Sequence, residues 1–161
     1  MKPSLHVLMI EDSAADAEIL ERQLGQAGWT CHVRRVATKD QFLRELHQRV
    51  PDVILSDHGL PAFDGFTALA IARMQCPDTP FIFVTGAAKE TLALETLQSG
   101  AADYILKHRL ETLGSAVHRA LREAEERARR RQAEAECARL LKEARATRAK
   151  FEAMRALLFW P

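Results

Sequence analysis

The sequence predicts an α/β fold in which a doubly wound, five-stranded parallel sheet carries helices on both faces. Strand-like and helix-like segments alternate five times along the first three-quarters of the chain. Two strand-like segments, 53–55 and 81–84, are wholly apolar, which is typical of strands buried on both faces of a parallel sheet. A long C-terminal helix is expected after the sheet.

The first strand is expected over residues 5–10 and ends on two acids, Glu11 and Asp12. Ser13 and Asp16 have the spacing of a capping box, in which each side chain binds the backbone amide of the other residue. Apolar residues then recur at helical spacing until glycines end the helix. The first strand therefore carries carboxylates at its carboxyl end and leads directly into a helix.

The second and third strands follow the same pattern. Residues 29–36 predict a strand, and adjacent arginines within it indicate an edge of the sheet. Thr38 and Gln41 again have capping-box spacing at the start of the next helix. The third strand ends on Asp57, and the glycines and prolines beyond it turn the chain toward another helix near residue 66.

The last two strands also end on polar residues. Residues 81–84 precede Thr85, and residues 104–106 precede Lys107. Because the carboxyl ends of parallel strands lie at one edge of the sheet, both residues are expected beside Asp57 and the acids of the first strand.

The acids at the strand ends predict a site for a phosphoryl group on an aspartate. Glu11, Asp12 and Asp57 would repel one another, which raises carboxyl pKa values unless a cation joins them. Oxygen ligands alone suit Mg²⁺, which commonly keeps waters and phosphate oxygens in its coordination shell. Mg²⁺ together with Lys107 would balance the three negative charges.

Residues 5–122 resemble a response-regulator receiver domain of two-component signalling. The motifs that carry the resemblance occur in the family's order: Glu11-Asp12, Asp57 with Leu60-Pro61 and Asp64-Gly65, Thr85-Gly86, and Tyr104-Ile105-Leu106-Lys107. The resemblance implies a flavodoxin-like fold with strand order 2-1-3-4-5. It implies a phosphorelay signalling domain rather than an enzyme. Such a domain catalyses only its own phosphorylation and dephosphorylation.

The resemblance assigns the central chemistry to Asp57. This residue would accept a phosphoryl group from a phosphohistidine of a sensor histidine kinase or a histidine phosphotransfer protein. Mg²⁺ would be held by Glu11, Asp12, Asp57 and the carbonyl group of Gly59. These roles are implied by the family and match the charge argument above.

Further roles implied by the resemblance concern the switch and the lifetime of the phosphorylated state. Thr85 and Lys107 would contact the phosphoryl oxygens, and Tyr104 would turn inward when Thr85 moves. Gly59 and Ala87 would flank the path of the attacking water. Neither residue can shield phosphorus, which favours hydrolysis, and neither can orient water, which opposes it, so we expect an intermediate lifetime that substitutions at both positions can tune.

The chain departs from the family pattern directly after the lysine. Receivers commonly have a proline there, often with a cis peptide bond, whereas this chain has His108. Because a cis bond before a residue other than proline costs about 3–4 kcal/mol, the Lys107–His108 bond is expected to be trans. His58 borders the phosphoacceptor, but adjacency alone gives it no catalytic role.

Two other functions fit parts of the same site. A phosphohydrolase could use Asp57 as its nucleophile, but hydrolases of the haloacid dehalogenase type place a second acid two residues later, where this chain has Gly59. A pseudo-receiver that only binds partners would lack part of the phosphorylation site, and no part is missing. The chain could be the receiver fragment of a larger hybrid kinase or output protein.

Residues 123–161 predict a helical extension that follows a receiver domain over 1–122. Residues 1–118 hold 11 Lys/Arg and 15 Asp/Glu, whereas residues 119–161 hold 12 and 7. Good helix formers dominate the basic part, and a helix from Leu110 to Leu158 would be about 70 Å long. The polar stretch 125–136 is either a solvated helix or a fraying linker.

Apolar and small residues recur at alternating spacings of three and four in the extension. With Cys137 in front of it, this seam consists of Leu140, Ala144, Thr147, Phe151, Met154 and Leu158. The spacing predicts a parallel coiled-coil homodimer. Two alternatives remain open, a solvated helix without a partner and a basic surface for nucleic acid. Acids interrupt the arginines and no helix-turn-helix motif follows, which argues against nucleic acid.

Composition indicates a soluble, cytoplasmic protein. No apolar run approaches the ~20 residues that a membrane span requires, so no membrane association is expected. The three cysteines, Cys31, Cys76 and Cys137, match neither a disulfide framework nor a zinc spacing. Free thiols are typical of a reducing compartment.

Overall fold

The fold is a five-stranded, all-parallel sheet with the strand order β2-β1-β3-β4-β5. The computed structural model describes residues 4–86 and 90–159. The strands are β1 (Ser4–Ile10), β2 (Thr30–Val36), β3 (Val53–Ser56), β4 (Phe81–Thr85) and β5 (Asp103–Leu106). The predicted fold class and strand order are confirmed, and β2 and β5 are the edges of the sheet.

Helices connect the strands. They are α1 (Ala14–Gln26), α2 (Lys39–Gln48), α3 (Gly65–Gln75), α4 (Glu90–Gln98) and α5 (Leu113–Leu158), with a 3₁₀ turn at Leu110–Thr112 before the last. Among the described peptide bonds none is cis, so the Lys107–His108 bond is trans, as predicted. No helix within the described part of the chain has the length and apolar character needed to cross a bilayer.

Side-chain caps begin α1 and α2 at the predicted residues. The Ser13 Oγ atom accepts a hydrogen bond from the Asp16 amide, and the Thr38 Oγ1 atom accepts one from the Gln41 amide. The return halves of both predicted capping boxes are wrong. The Gln41 Oε1 atom accepts from the Ala37 amide at 2.9 Å and not from the Thr38 amide. The Ser13 amide donates to Glu11 Oε1 at 3.0 Å, and the Asp16 carboxylate binds elsewhere, in the site described below.

Two apolar clusters lie on opposite faces of the sheet, because successive side chains of a strand point to opposite sides. On one face, Val7 and Met9 pack with residues of α1 and α5. On the other, Leu8 and Ile10 pack with residues of α2 and α3. Every residue of β3 and β4 is buried, which explains why these strands read as apolar runs.

Gly65 allows the loop after β3 to pack closely on the sheet. A Cβ atom at this position would lie 2.6 Å from Phe83 Cε1 and 3.3 Å from the backbone oxygen of Asp57. Any side chain would therefore force the Phe83 ring on β4 or the backbone at Asp57 to shift. Gly28 follows the end of α1 and has a different role. Its φ angle of 97° lies in a region that favours glycine, so it lets the chain turn out of the helix.

The chain divides into two compact units between Ala124 and Glu125. In the first unit, α5 buries Leu113, Val117 and Ala124 among its apolar contacts. In the second unit, the polar stretch predicted to be a helix or a linker is helical, since α5 is continuous over 46 residues.

Candidate phosphoryl site

Three carboxylates meet where β1 and β3 end. Glu11 and Asp12 follow β1, and Asp57 follows β3, whose neighbour in the sheet is β1. One ligand atom from each of the three side chains lies within 4.8 Å of the others. Glu11 is 2% exposed, Asp57 is half-buried, and Asp12 is exposed. The parallel topology therefore brings together the acids that the sequence predicted.

Lys107 joins this group from the end of β5. Its Nζ atom donates to Glu11 Oε2 at 3.1 Å, to Asp57 Oδ2 at 3.0 Å and to Asp16 Oδ2 at 2.6 Å. Its backbone amide donates to the Thr85 carbonyl at 2.8 Å, which ties it to the end of β4. An ammonium group has three donors, and all three have carboxylate acceptors here.

The pKa values of Glu11 and Lys107 are both raised in the site, for different reasons. Burial raises the pKa of Glu11, because desolvation of the charged form outweighs the hydrogen bonds from the Ser13 amide and Lys107. Burial acts to lower the pKa of Lys107, but hydrogen bonds to Asp16, Asp57 and Glu11 outweigh it and raise that pKa above its ordinary value. Lys107 is therefore charged at neutral pH.

The loop after β3 holds Asp57 through its backbone and its side chain. The Asp57 amide donates to the Ile10 carbonyl at 2.9 Å, and the Gly59 amide donates to Asp57 Oδ1 at 3.1 Å. A Cβ atom built at Gly59 would lie 3.9 Å from Asp57 Oδ1, which is an ordinary contact. A side chain could therefore be introduced beside the carboxylate without a clash at its first atom.

The switch residues lie on β4 and β5. Thr85 is 3% exposed and ends β4, two residues after Phe83 and on the same side of the strand. Tyr104 is opposite Phe83 in the register and packs, half-buried, against the same apolar cluster. Ala87, predicted to tune the lifetime of the phosphorylated state, lies outside the described residues.

His58 contributes to an aromatic cluster beside the site. Its ring packs edge-on against Phe66 and Phe83, with ring centroids 5.1 Å and 5.7 Å away. These contacts account for an aromatic-sized side chain directly after Asp57.

Asp16 is the site residue that the sequence prediction missed. Its spacing from Ser13 was explained by capping, yet its carboxylate makes the shortest of the three Lys107 contacts. A signal was present, because the first turn of α1 starts at the sheet edge where β1 ends. An acid in that turn must lie near the other strand ends.

The coiled-coil seam lies on α5 in the second unit. Leu140, Phe151, Met154 and Leu158 are 51%, 60%, 53% and 72% exposed within this single chain. Ala144 and Thr147 are exposed as well. The seam is thus a helical face that the rest of its unit does not cover.

Residues 7–118 match the response regulator receiver domain family. The chain belongs to this family. Receiver domains are signalling domains, and those of this kind take phosphoryl groups from histidine kinases. The resemblance inferred from the strand-end motifs is thereby confirmed.

Two curated relatives share the receiver domain with this chain. NtrC of Proteus hauseri, a DNA-binding transcriptional regulator, is 32% identical over 102 residues, which cover 63% of this chain and 21% of that protein. The luminescence regulatory protein LuxO of Vibrio campbellii is 31% identical over 117 residues, which cover 72% of this chain and 25% of that protein.

A CheY-like receiver domain protein from Methanospirillum hungatei has the same fold. Its crystal structure matches with a TM-score of 0.66 and 25% identity, over 78% of this chain and 99% of that one. In contrast, this chain spans a quarter or less of the length of the two curated relatives. The shared part is therefore the receiver, and it carries phosphoacceptor signalling without specifying an output.

Proposed function

We propose that Asp57 is the phosphoacceptor of this receiver. The observation that carries the proposal is the convergence of Glu11, Asp12 and Asp57 within 4.8 Å, with Lys107 Nζ 3.0 Å from Asp57 Oδ2. The proposed donor is a phosphohistidine on a sensor histidine kinase or a histidine phosphotransfer protein. A carboxylate oxygen of Asp57 attacks phosphorus, the N–P bond breaks, and its electron pair stays on the imidazole.

The donor set fits Mg²⁺. The ligand atoms are carboxylate oxygens, which hard divalent cations prefer, and the exposed Asp12 leaves one side open to water and phosphate. We propose that Glu11, Asp12, Asp57 and the Gly59 carbonyl hold the ion. When bound, Mg²⁺ supplies positive charge that offsets the carboxylates and the incoming phosphoryl group.

The chain's own groups position the acceptor. The Gly59 amide fixes one oxygen of Asp57, and Lys107 donates to the other. Phosphorylation replaces a carboxylate charge by a phosphoryl charge of about −1.5 to −2. The added charge strengthens the attraction of Lys107 and favours donation by the Thr85 hydroxyl group. We propose that Tyr104 moves inward as Thr85 engages the phosphoryl group.

The helical extension is proposed to relay the signal as a homodimer. Support comes from the exposed seam on α5, whose apolar residues recur at coiled-coil spacing. Burial of such residues against a second copy of the chain would stabilise the dimer by about 25 cal/mol for each Å² of apolar surface that is removed from water. Free cysteines and kinase-dependent signalling fit a cytoplasmic location, which we propose with the receiver function.

Phosphorylation of Asp57 can be tested by intact mass after incubation with acetyl phosphate and Mg²⁺. The parent chain should gain one phosphoryl group, and Asp57→Asn should gain none. Asp40→Asn, which neutralises an exposed aspartate at the start of α2, serves as the matched control and should label like the parent. Undiminished labelling of Asp57→Asn would overturn the proposal, as would labelling that does not require Mg²⁺.

A further inference from the structure

Asp16 and Lys107 form a close ion pair at the border of the phosphoryl site. The Nζ to Oδ2 distance is 2.6 Å, against 3.0 Å and 3.1 Å for the contacts of Lys107 with Asp57 and Glu11. Asp16 and Lys107 also line a small cleft of about 90 Å³ with Ile19, Leu20 and Leu110. Apolar walls lower the local dielectric, which strengthens the pair.

Asp16 differs from the other two acceptors of Lys107. Glu11 and Asp57 belong to the carboxylate group whose ligand atoms converge within 4.8 Å, and Asp16 lies outside that group. The Asp16 backbone is fixed, because its amide donates to the Ser13 Oγ atom at the start of α1. Asp16 is therefore placed to serve Lys107 while the other acids serve a metal ion and a phosphoryl group.

We propose that Asp16 is a positioning residue that keeps Lys107 directed at Asp57 during phosphoryl transfer. The proposal rests on the proposed function of Asp57. Lysine carries its charge on a flexible four-carbon stem, so the position of its ammonium group depends on its acceptors. When a phosphoryl group is attached to Asp57, the contact with Asp57 Oδ2 is exchanged for a phosphoryl oxygen. This exchange leaves the contact with Asp16 untouched, and Asp16, unlike Glu11, lies outside the group of acids proposed to hold the metal ion.

The rate of phosphorylation by acetyl phosphate with Mg²⁺ should show this role. We expect Asp16→Ala to slow labelling about three- to tenfold, because positioning supplies much of the catalysis of phosphoryl transfer. Asp16→Asn keeps an acceptor oxygen without the charge, and its labelling rate should lie between those of the parent and Asp16→Ala. Glu18→Ala removes a neighbouring exposed acid of α1 and should label at the parent rate.

A double-mutant cycle separates positioning from a general effect of charge or stability. In a Lys107→Ala background, Asp16→Ala should have no further effect on the labelling rate. A purely structural or electrostatic role would slow or speed both backgrounds by the same factor. Melting temperatures of all variants, measured alongside, identify any variant that is not folded, and Asp16→Asn then replaces Asp16→Ala in the cycle.

The outcomes distinguish this inference from the function on which it rests. Equal effects of the Asp16 substitution with and without Lys107 would overturn the positioning role while labelling of Asp57 stands. Parent-rate labelling of Asp16→Ala would overturn it as well. A parent chain that does not label at all would overturn the proposed function and the inference with it.

Discussion

The two units of the chain differ in which residues they bury. The first buries charged groups, as Glu11 with 2% exposure shows, whereas the second exposes apolar ones, as Phe151 with 60% shows. Glu11 has hydrogen-bond donors within its own unit, the Ser13 amide and Lys107. Among the residues of the second unit that the structure describes, 125–159, nothing covers its apolar face in the same way. The difference teaches that the first unit completes its site internally, whereas the second leaves an apolar face exposed, which the proposed dimer would cover.

The largest effect is expected from a substitution in the exposed apolar face of the second unit. Phe151→Glu places a charge in the seam of α5, and burying an unpaired charge is costly. If the seam pairs two copies of the chain, the particle mass from light scattering should fall about twofold, since dimers dissociate. Residue 151 lies in the middle of the apolar positions, where the charge cannot easily reach water.

The control for this substitution introduces the same charge on another side of the helix. Ala149→Glu is displaced by about 200° around α5, at 100° per residue, and should leave the mass unchanged. A parent chain that is monomeric at tens of micromolar would remove the dimer, and equal masses of all three proteins would remove the role of the seam.

A smaller effect is expected from the buried acid of the first unit. Glu11→Gln should raise the melting temperature without Mg²⁺ by about 2–4 °C at neutral pH, because it removes a desolvated charge. Mg²⁺ should raise the melting temperature of the parent, since it binds the folded site, and should raise that of Glu11→Gln much less. Thermal unfolding with and without the ion measures both effects.

The pH dependence follows from the direction of the Glu11 pKa. The pKa in the folded state is raised above the ordinary 4.5, so the folded chain binds the proton more tightly than the unfolded chain does. The contribution of Glu11 to the free energy of unfolding therefore falls as the pH rises from 4.5 through the raised pKa. Relative to the parent, Glu11→Gln should gain stability over that range. A constant difference at all pH values would contradict this.

A few-fold effect is expected at the flank of the phosphoacceptor. Gly59→Lys places a long side chain whose first atom would lie 3.9 Å from Asp57 Oδ1. It should slow the loss of phosphate by covering the path of the attacking water, on the order of two- to fivefold. Mass spectrometry after removal of the phosphodonor follows the decay. Ala87→Glu should change the rate by ordering water, and parent-rate decay in both variants would remove the lifetime role of these positions.

The smallest effect is expected from removal of the second unit, which tests whether the first unit functions without it. A chain that ends at Ala124 keeps every buried residue of α5, because Ala124 is the last of them. It should label on Asp57 and gain thermal stability from Mg²⁺ as the full chain does. A truncated chain that folds but no longer labels would show that the extension is needed for the chemistry of the site.

The site could be predicted where topology alone determines it. Glu11, Asp12, Asp57 and Lys107 all follow strands, and the carboxyl ends of parallel strands must meet at one edge. The trans bond before His108 was predictable for a similar reason, because one covalent preference decides it. The domain boundary near residue 122 and the coiled-coil seam stay predictions. The pairing of the seam depends on a second copy of the chain, which helical spacing alone does not supply.

Other features, such as the partner of Asp16 and the exposure of helix residues, depend on tertiary packing, which the spacing of apolar residues in the sequence does not reveal. Asp16 has two partners within reach, a backbone amide and a lysine that is distant in sequence, and only the fold decides between them. Helical spacing also groups Ile19 and Met74 with the apolar faces of α1 and α3, yet they are 42% and 85% exposed. Periodicity shows which residues share a side of a helix, but not how far the sheet covers that side.

The edges of the sheet limit how copies of the chain can aggregate. β2 exposes Arg34 and Arg35, and positive charge on an edge strand opposes pairing with another copy of itself. β5 is only four residues long, and its Asp103 side chain pairs with Arg119 of α5. Neither edge offers a long apolar template for intermolecular β-pairing. Sheet extension into fibrils is thus disfavoured even at concentrations where the proposed helix-mediated dimer would form.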